Sequence, residues 1–451
     1  MMSVSILFIL IILRILYVCL KCGNPKINMR KLYKEVFFIY IFFSISINGG
    51  YAFKIGETTV AYNTFLLLLL LLLSIPFLKK GKYNKKILFW GLIFYLCIGL
   101  GILWMDLSPY TGGLVQNLED WDYIISGSRY ISYTVQKSDK LFNYILGGVR
   151  FPIILSVGSK IFLGEDIKKW IEKIYKTIPF FVVFGFIEFI MKKILSINIY
   201  GIVSIFIGDV AEFSKLQGLT KEASQYAMTL FIYTIVIVIM SKFDVRKSIN
   251  NKYRIDTKLL FCVYILMILN TSLTSYYFLI LSIFILLVTV NAKKKIMIIF
   301  SGICLLSIIL IIGLPDYFLQ RFGMINEVLT TLRQGNEFHS YLTSEGARLS
   351  SIYYAILAFI ARPLFGVGIG NTDAHSTFFA ILANFGLIGV VSYFYIWWRF
   401  SYCKTSNSKK VFWTLIASTL LSGGLGYFSE LYLPFMCLAY SISEMYRDST
   451  I

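Results

Sequence analysis

Residues 258–291 hold more uninterrupted apolar chain than one membrane helix can use. No charged residue lies between Lys258 and Lys293. A single helix over that length would run about 50 Å at about 1.5 Å per residue, against a hydrocarbon core of about 30 Å. Arg254 and Lys258 stand before the stretch, and Lys293 to Lys295 follow it. Lys and Arg near span ends are retained in the cytoplasm, so both ends belong on one side and the chain must cross and return. The polar run Asn270-Thr271-Ser272-Leu273-Thr274-Ser275 is where it can turn. This predicts a helical hairpin with its polar tip facing outward.

The same pattern of apolar run and basic edge recurs along the chain, at 3–20, 35–53, 61–78, 87–105, 141–162, 177–195, 224–241, 296–314, 376–398, 411–427 and 432–446. With 57% hydrophobic residues, only 15% charged and a mean hydropathy of +0.73, too little charge remains to cover a soluble surface. The expected fold is an all-α polytopic membrane protein, one domain over 1–451, with about 11 to 13 transmembrane helices. The positive-inside rule places 21–34, 79–86, 163–176, 242–258, 293–295 and 399–410 inside. Three long segments then lie outside: 106–140, 196–223 and 315–375. They carry both histidines, His339 and His375. Long loops translocate largely regardless of charge, so function is expected there, on the outer face.

The net charge of +19 does not imply a nucleic-acid partner, because Lys and Arg crowd into the short inner loops. The seven cysteines fall within apolar runs or at their cytoplasmic edges, so no disulfide framework is expected. The run 3–20 lacks a basic leader and a small-residue cleavage site and reads as a retained span. No internal repeat is visible, and eight prolines are few for a carrier built on broken helices.

Residues 346–390 read GARLSSIYYAILAFIARPLFGVGIGNTDAHSTFFAILANFGLIGV. Apolar residues from Ala347 to Ala361 fall at helical spacing and predict an amphipathic outer helix. Arg362-Pro363 ends it. Gly366, Gly368 and Gly370 form an irregular loop, better read as a tight turn than a nucleotide loop, since no strand precedes it. His375 then stands at the mouth of the next apolar run.

This order of motifs resembles the O-antigen polymerase and ligase superfamily. The matching residues are Arg348 at a helix start, Pro363-Leu364-Phe365-Gly366-Val367-Gly368, His375, and Gly386-Leu387-Ile388-Gly389. Weaker matches are Lys215-Leu216-Gln217-Gly218-Leu219 with Glu222, and the hairpin tip at Thr271 to Ser275. Lys215, Tyr276 and Ser376 depart from the family's usual Arg, Arg and Asn. The resemblance covers roughly 200–400 and implies the superfamily's GT-C-like membrane fold.

It also implies metal-independent glycosyl transfer without a cofactor, joining undecaprenyl-pyrophosphate-linked repeat units at the outer face of a bacterial cytoplasmic (inner) membrane. His375 and Arg348 would be catalytic. Arg362, Lys215, Glu222 and Arg150 would bind pyrophosphate or glycan. Partners would be lipid-linked donor and acceptor, membrane lipids and a chain-length regulator, with no nucleic acid. The residues suit this chemistry: histidine titrates near neutrality and can take a hydroxyl proton, while arginine offers a planar fork to phosphate oxygens. Two alternatives remain at this stage, an O-antigen ligase acting on lipid A-core and a flippase for lipid-linked glycan. His339, with no motif around it, reads as an ordinary loop residue.

Overall fold

The computed structural model describes residues 2–4, 6–20, 29–47, 51–55, 58–107, 137–197, 199, 203, 215–220, 222–243, 255–289, 344–368, 374–421 and 430–448. The expected run at 296–314, His339, and most of the first two outer segments lie outside them.

Apolar runs become helices, as expected of an all-α membrane protein. In chain order these are α1 (Ile6–Leu20), α2 (Met29–Ser46), α3 (Tyr62–Lys79), α4 (Lys85–Leu107), α5 (Lys137–Ile161) and α6 (Gly164–Phe189), the last followed by a π-helical turn at Ile190–Ile194. Then come α7 (Ala223–Phe243), α8 (Thr257–Leu269), α9 (Leu273–Thr289), α10 (Ser344–Ala361), α11 (Thr377–Ser401), α12 (Ser406–Ser418) and α13 (Tyr432–Asp448). Among the described residues, four stretches have the length and apolar composition to cross a membrane: Tyr62–Lys79, Gly164–Ile194, Ala223–Phe243 and, counted across a kink, Thr377–Ser401.

The hairpin is present. α8 ends at Leu269, Thr271 takes a left-handed φ of 55°, and α9 starts at Leu273. Side chains close the tip: the Ser272 amide donates to Asn270 Oδ1 at 3.2 Å, and the Ser275 hydroxyl donates to the Met267 carbonyl at 2.7 Å.

Three sequence readings are corrected. The runs 3–20 and 35–53 are not purely helical: Met2–Val4 (β1), Tyr51–Ile55 (β2) and Thr58–Ala61 (β3) form an antiparallel sheet in the order β1-β2-β3, with Met2 opposite Ile55 and Lys54 opposite Thr59. The inner loop expected at 163–176 is the first half of α6, where the Asp166 carboxylate accepts from the Leu163 amide at 2.9 Å and supports the helix start. The run 376–398 is not one straight span. At Gly386 (φ 65°, ψ −167°) α11 breaks. The Phe378 and Phe394 rings lie 5.9 Å apart, whereas a straight helix would separate them by about 24 Å. The two arms fold back on one another, and Phe94 of α4 packs against Phe385 of one arm and Tyr393 of the other, at 5.1 and 5.9 Å.

At the centre stands α7, whose apolar window is wholly buried. A helix that is apolar all round belongs inside. At its far end Lys242 Nζ donates to Tyr440 Oη at 2.7 Å and Glu444 Oε1 at 3.0 Å, both on α13.

Candidate functional site

The break at Gly386 sets a problem in backbone chemistry. In a continuous helix, the carbonyls of Ala383 and Asn384 would accept from the amides of Leu387 and Ile388. Here those four groups lose each other, and buried backbone groups must find partners. The glycine loop supplies all four. The Val367 and Gly368 amides donate to the Ala383 and Asn384 carbonyls at 2.9 and 3.2 Å. The Leu387 and Ile388 amides donate to the Pro363 and Leu364 carbonyls at 2.8 and 3.2 Å. The Pro-Leu-Phe-Gly-Val-Gly segment is a splint for the broken helix, which makes the turn reading of its glycines correct in kind and gives it a partner.

Two glycines make this contact possible. A Cβ on Gly366 (φ 73°) would fall 2.4 Å from the Asn384 carbonyl carbon, and one on Gly386 would fall 2.4 Å from the Leu364 carbonyl. Both residues also need the left-handed region that side chains avoid.

The splint sits between α10 and α11, and His375 is fixed between the same two helices. Its amide donates to Ser351 Oγ of α10 at 3.0 Å. Ser376 caps α11, accepting from the Phe379 amide at 3.3 Å, and its hydroxyl reaches the Thr419 carbonyl past the end of α12 at 3.1 Å. His375 itself is half-buried. Arg348 lies three residues before Ser351 on α10, an adjacent position one turn away. Arg362 is half-buried at the end of α10, and its carbonyl accepts from Gly366 at 3.0 Å, the first bond of the splint.

Lys215 and Glu222 belong to a second loop, held by a residue the sequence reading missed. Glu188 of α6 is fully buried, and its two carboxylate oxygens accept from the Gln217 and Gly218 amides at 2.8 and 2.7 Å. Lys192 Nζ, 4.0 Å from Glu188, donates to the Lys215 carbonyl at 3.0 Å. The Glu222 carbonyl accepts from the Tyr226 amide at 3.0 Å, opening α7, and its carboxylate accepts from the Ser224 hydroxyl at 3.2 Å. The hairpin tip joins here, since Asn270 Nδ2 donates to the Leu216 and Ala223 carbonyls at 2.8 and 3.1 Å. Tyr277, on the second turn of α9, donates to the Ala417 carbonyl at 2.6 Å. Contacts therefore run from the Lys215 loop through the hairpin to the end of α12 and on to Ser376. The three motif regions gather at one end of the bundle.

Replacing Glu188 by glutamine keeps its shape but turns one acceptor into a donor facing an amide. Leaving a buried donor unsatisfied costs about 1–3 kcal/mol, so Glu188→Gln should lower the thermal midpoint of the detergent-solubilised protein. An unchanged midpoint would remove the anchoring role.

Arg150, on α5, lies apart from these loops. Among the described residues its buried Nε has no hydrogen-bond partner, and Tyr40 of α2 is in reach of its charge. Glu430, just before α13, is a second residue missed from the sequence. It is 6% exposed, and Thr377 donates to its Oε1 at 3.0 Å. Burial pushes its carboxyl up to about 8, with the Thr377 bond pulling the other way. An acid beside an apolar run is visible in the sequence, but only the fold brings it to Thr377, two residues from His375.

Residues 259–394 match the Wzy_C family, described as O-antigen ligase. The match takes in the hairpin, α10 with Arg348 and Ser351, the splint, His375 and the kink. It agrees with the superfamily resemblance carried by the motifs. No curated protein matches the chain.

Proposed function

Starting from a multi-pass membrane protein with an O-antigen ligase-type segment at 259–394, we propose a polysaccharide polymerase of the bacterial cytoplasmic membrane. It joins undecaprenyl-pyrophosphate-linked repeat units at the outer face. The observation that carries this reading is the fixing of His375, at the start of a kinked helix, by Ser351 of the helix bearing Arg348.

In the proposed step, His375 takes the proton of an acceptor sugar hydroxyl. The hydroxyl oxygen bonds to the anomeric carbon of the donor as the bond from that carbon to pyrophosphate oxygen breaks. The electron pair leaves with undecaprenyl pyrophosphate, whose charge Arg348 and Arg362 meet. Lys215, Glu222 and Arg150 bind the remaining phosphate or glycan groups. Atoms and charges balance without a metal or cofactor.

The family description itself favours a second reading, a ligase that moves finished glycan to an acceptor lipid. A deletion strain separates the two when its surface polysaccharide and lipid-linked glycan are run on gels. Acceptor carrying one repeat unit supports the polymerase. Bare acceptor with accumulated lipid-linked polymer overturns it in favour of the ligase. Bare acceptor with only single lipid-linked units kept inside overturns both in favour of a flippase.

A further inference from the structure

The two ends of α6 are fixed at opposite ends of the bundle. In its first half, Lys34 pairs with Asp166 at 2.5 Å and Tyr175 donates to Asp256 at 2.9 Å, which ties this end to the basic segments 21–34 and 242–258. The other end reaches the Lys215 loop, and through it the hairpin tip. There the helix widens into the π-helical turn Ile190–Ile194, closed by the Leu195 amide donating to the Ile190 carbonyl at 2.9 Å. Such turns are rare and are frequent at functional sites. This one carries Lys192 and Lys193 at the end away from the basic segments, where the positive-inside rule disfavours lysine. Lys193 follows Lys176 by about 25 Å of helix, close to the thickness of a hydrocarbon core, so it falls at headgroup level.

The two lysines point to different surroundings. Lys192 is 13% exposed and turns inward, to the Lys215 carbonyl and Glu188. Lys193 is exposed. Within four residues of it, Ile190, Ile194, Leu195 and Ile197 are 45–64% exposed, an apolar strip with a cation beside it.

We propose that Lys193 is the docking point of the lipid-linked donor, its ammonium meeting the pyrophosphate while the apolar strip lies against the polyprenyl chain. This rests on the glycan-transfer reading above. A cation at headgroup depth beside exposed apolar side chains fits a lipid with an anionic head. A pyrophosphate carries more negative charge than the single phosphodiester of a phospholipid, so it gains more from a second cation. Lys215, whose carbonyl Lys192 holds, brings that second cation to the same edge of the bundle. Docking there sets the donor beside the loop that leads through the hairpin to α12 and Ser376.

The test uses the full-length protein in detergent, titrated separately with undecaprenyl pyrophosphate, undecaprenol and phosphatidylglycerol, with bound lipid counted by native mass spectrometry. Wild-type protein should bind the pyrophosphate more tightly than the alcohol. Lys193→Gln should weaken pyrophosphate binding about fivefold, the effect of one lysine facing an anionic lipid, and Lys193→Arg should bind as wild type. Lys82→Gln, which removes an exposed lysine of the inner loop 79–86, should change nothing. Wild-type affinity in Lys193→Gln overturns the assignment and leaves the transfer reading standing. Equal losses for pyrophosphate and phosphatidylglycerol overturn it in favour of a phospholipid anchor. If wild-type protein binds the pyrophosphate no better than the alcohol, the transfer reading falls and this assignment with it.

Discussion

Gly386→Ala is expected to unfold the centre of the proposed site. Alanine there must adopt φ 65°, ψ −167°, a region held essentially by glycine alone. Its Cβ must also displace the Leu364 carbonyl from 2.4 Å. Because that carbonyl accepts from Ile388 in the splint, the displacement breaks the contact that satisfies the kink. Strain and lost hydrogen bonds together should cost about 3 kcal/mol or more. Two other glycines separate the causes. Gly81→Ala has the same positive φ with nothing within 4 Å of the new Cβ, so only the strain remains, while Gly99→Ala has open space and no positive φ. Thermal midpoints in detergent should therefore fall in the order Gly99→Ala, Gly81→Ala, Gly386→Ala. Equal midpoints for the first and last would mean that the splint does not hold the fold.

His375→Ala is expected to leave the fold intact and remove the chemistry. Ser351 holds the backbone of residue 375, and the half-buried side chain is not part of the core. Loss of a general base typically costs on the order of 10² to 10⁴ in rate, enough to erase long-chain product from a gel. Arg348→Lys keeps the charge and loses the bidentate fork, so it should be impaired if Arg348 grips pyrophosphate and normal if it only anchors α10. His339→Ala should leave chain length unchanged. Normal polysaccharide from His375→Ala, present in the membrane at wild-type level, would end the assignment of the base.

The hairpin at 258–291 could be read in the sequence because length and flanking charge both constrain it, and neither depends on what packs against it. The kink could not. Gly386 and Gly389 look like small residues in an ordinary membrane helix, and the groups that make a break tolerable lie some twenty residues earlier in the splint. The same limit hid Glu188 and Glu430. An acid inside or beside an apolar run is conspicuous in a membrane, yet its partners, the Gln217 and Gly218 amides in one case and Thr377 in the other, are brought to it only by the fold. The strands were lost for another reason: three to five residues are too few to show alternation against apolar neighbours.

The ion pair at the far end of α7 sets an order in time. Lys242 is synthesised 202 residues before Glu444, which neutralises it in the finished bundle. At roughly 5–20 residues per second, the lysine waits about 10–40 s for that carboxylate. Until then α7 cannot be sealed inside, because a buried unpaired ammonium is strongly unfavourable. The nascent chain must keep that helix end at the membrane surface, within reach of water, until α13 arrives. The helix that brings Glu444 is therefore the one that seals α7 inside.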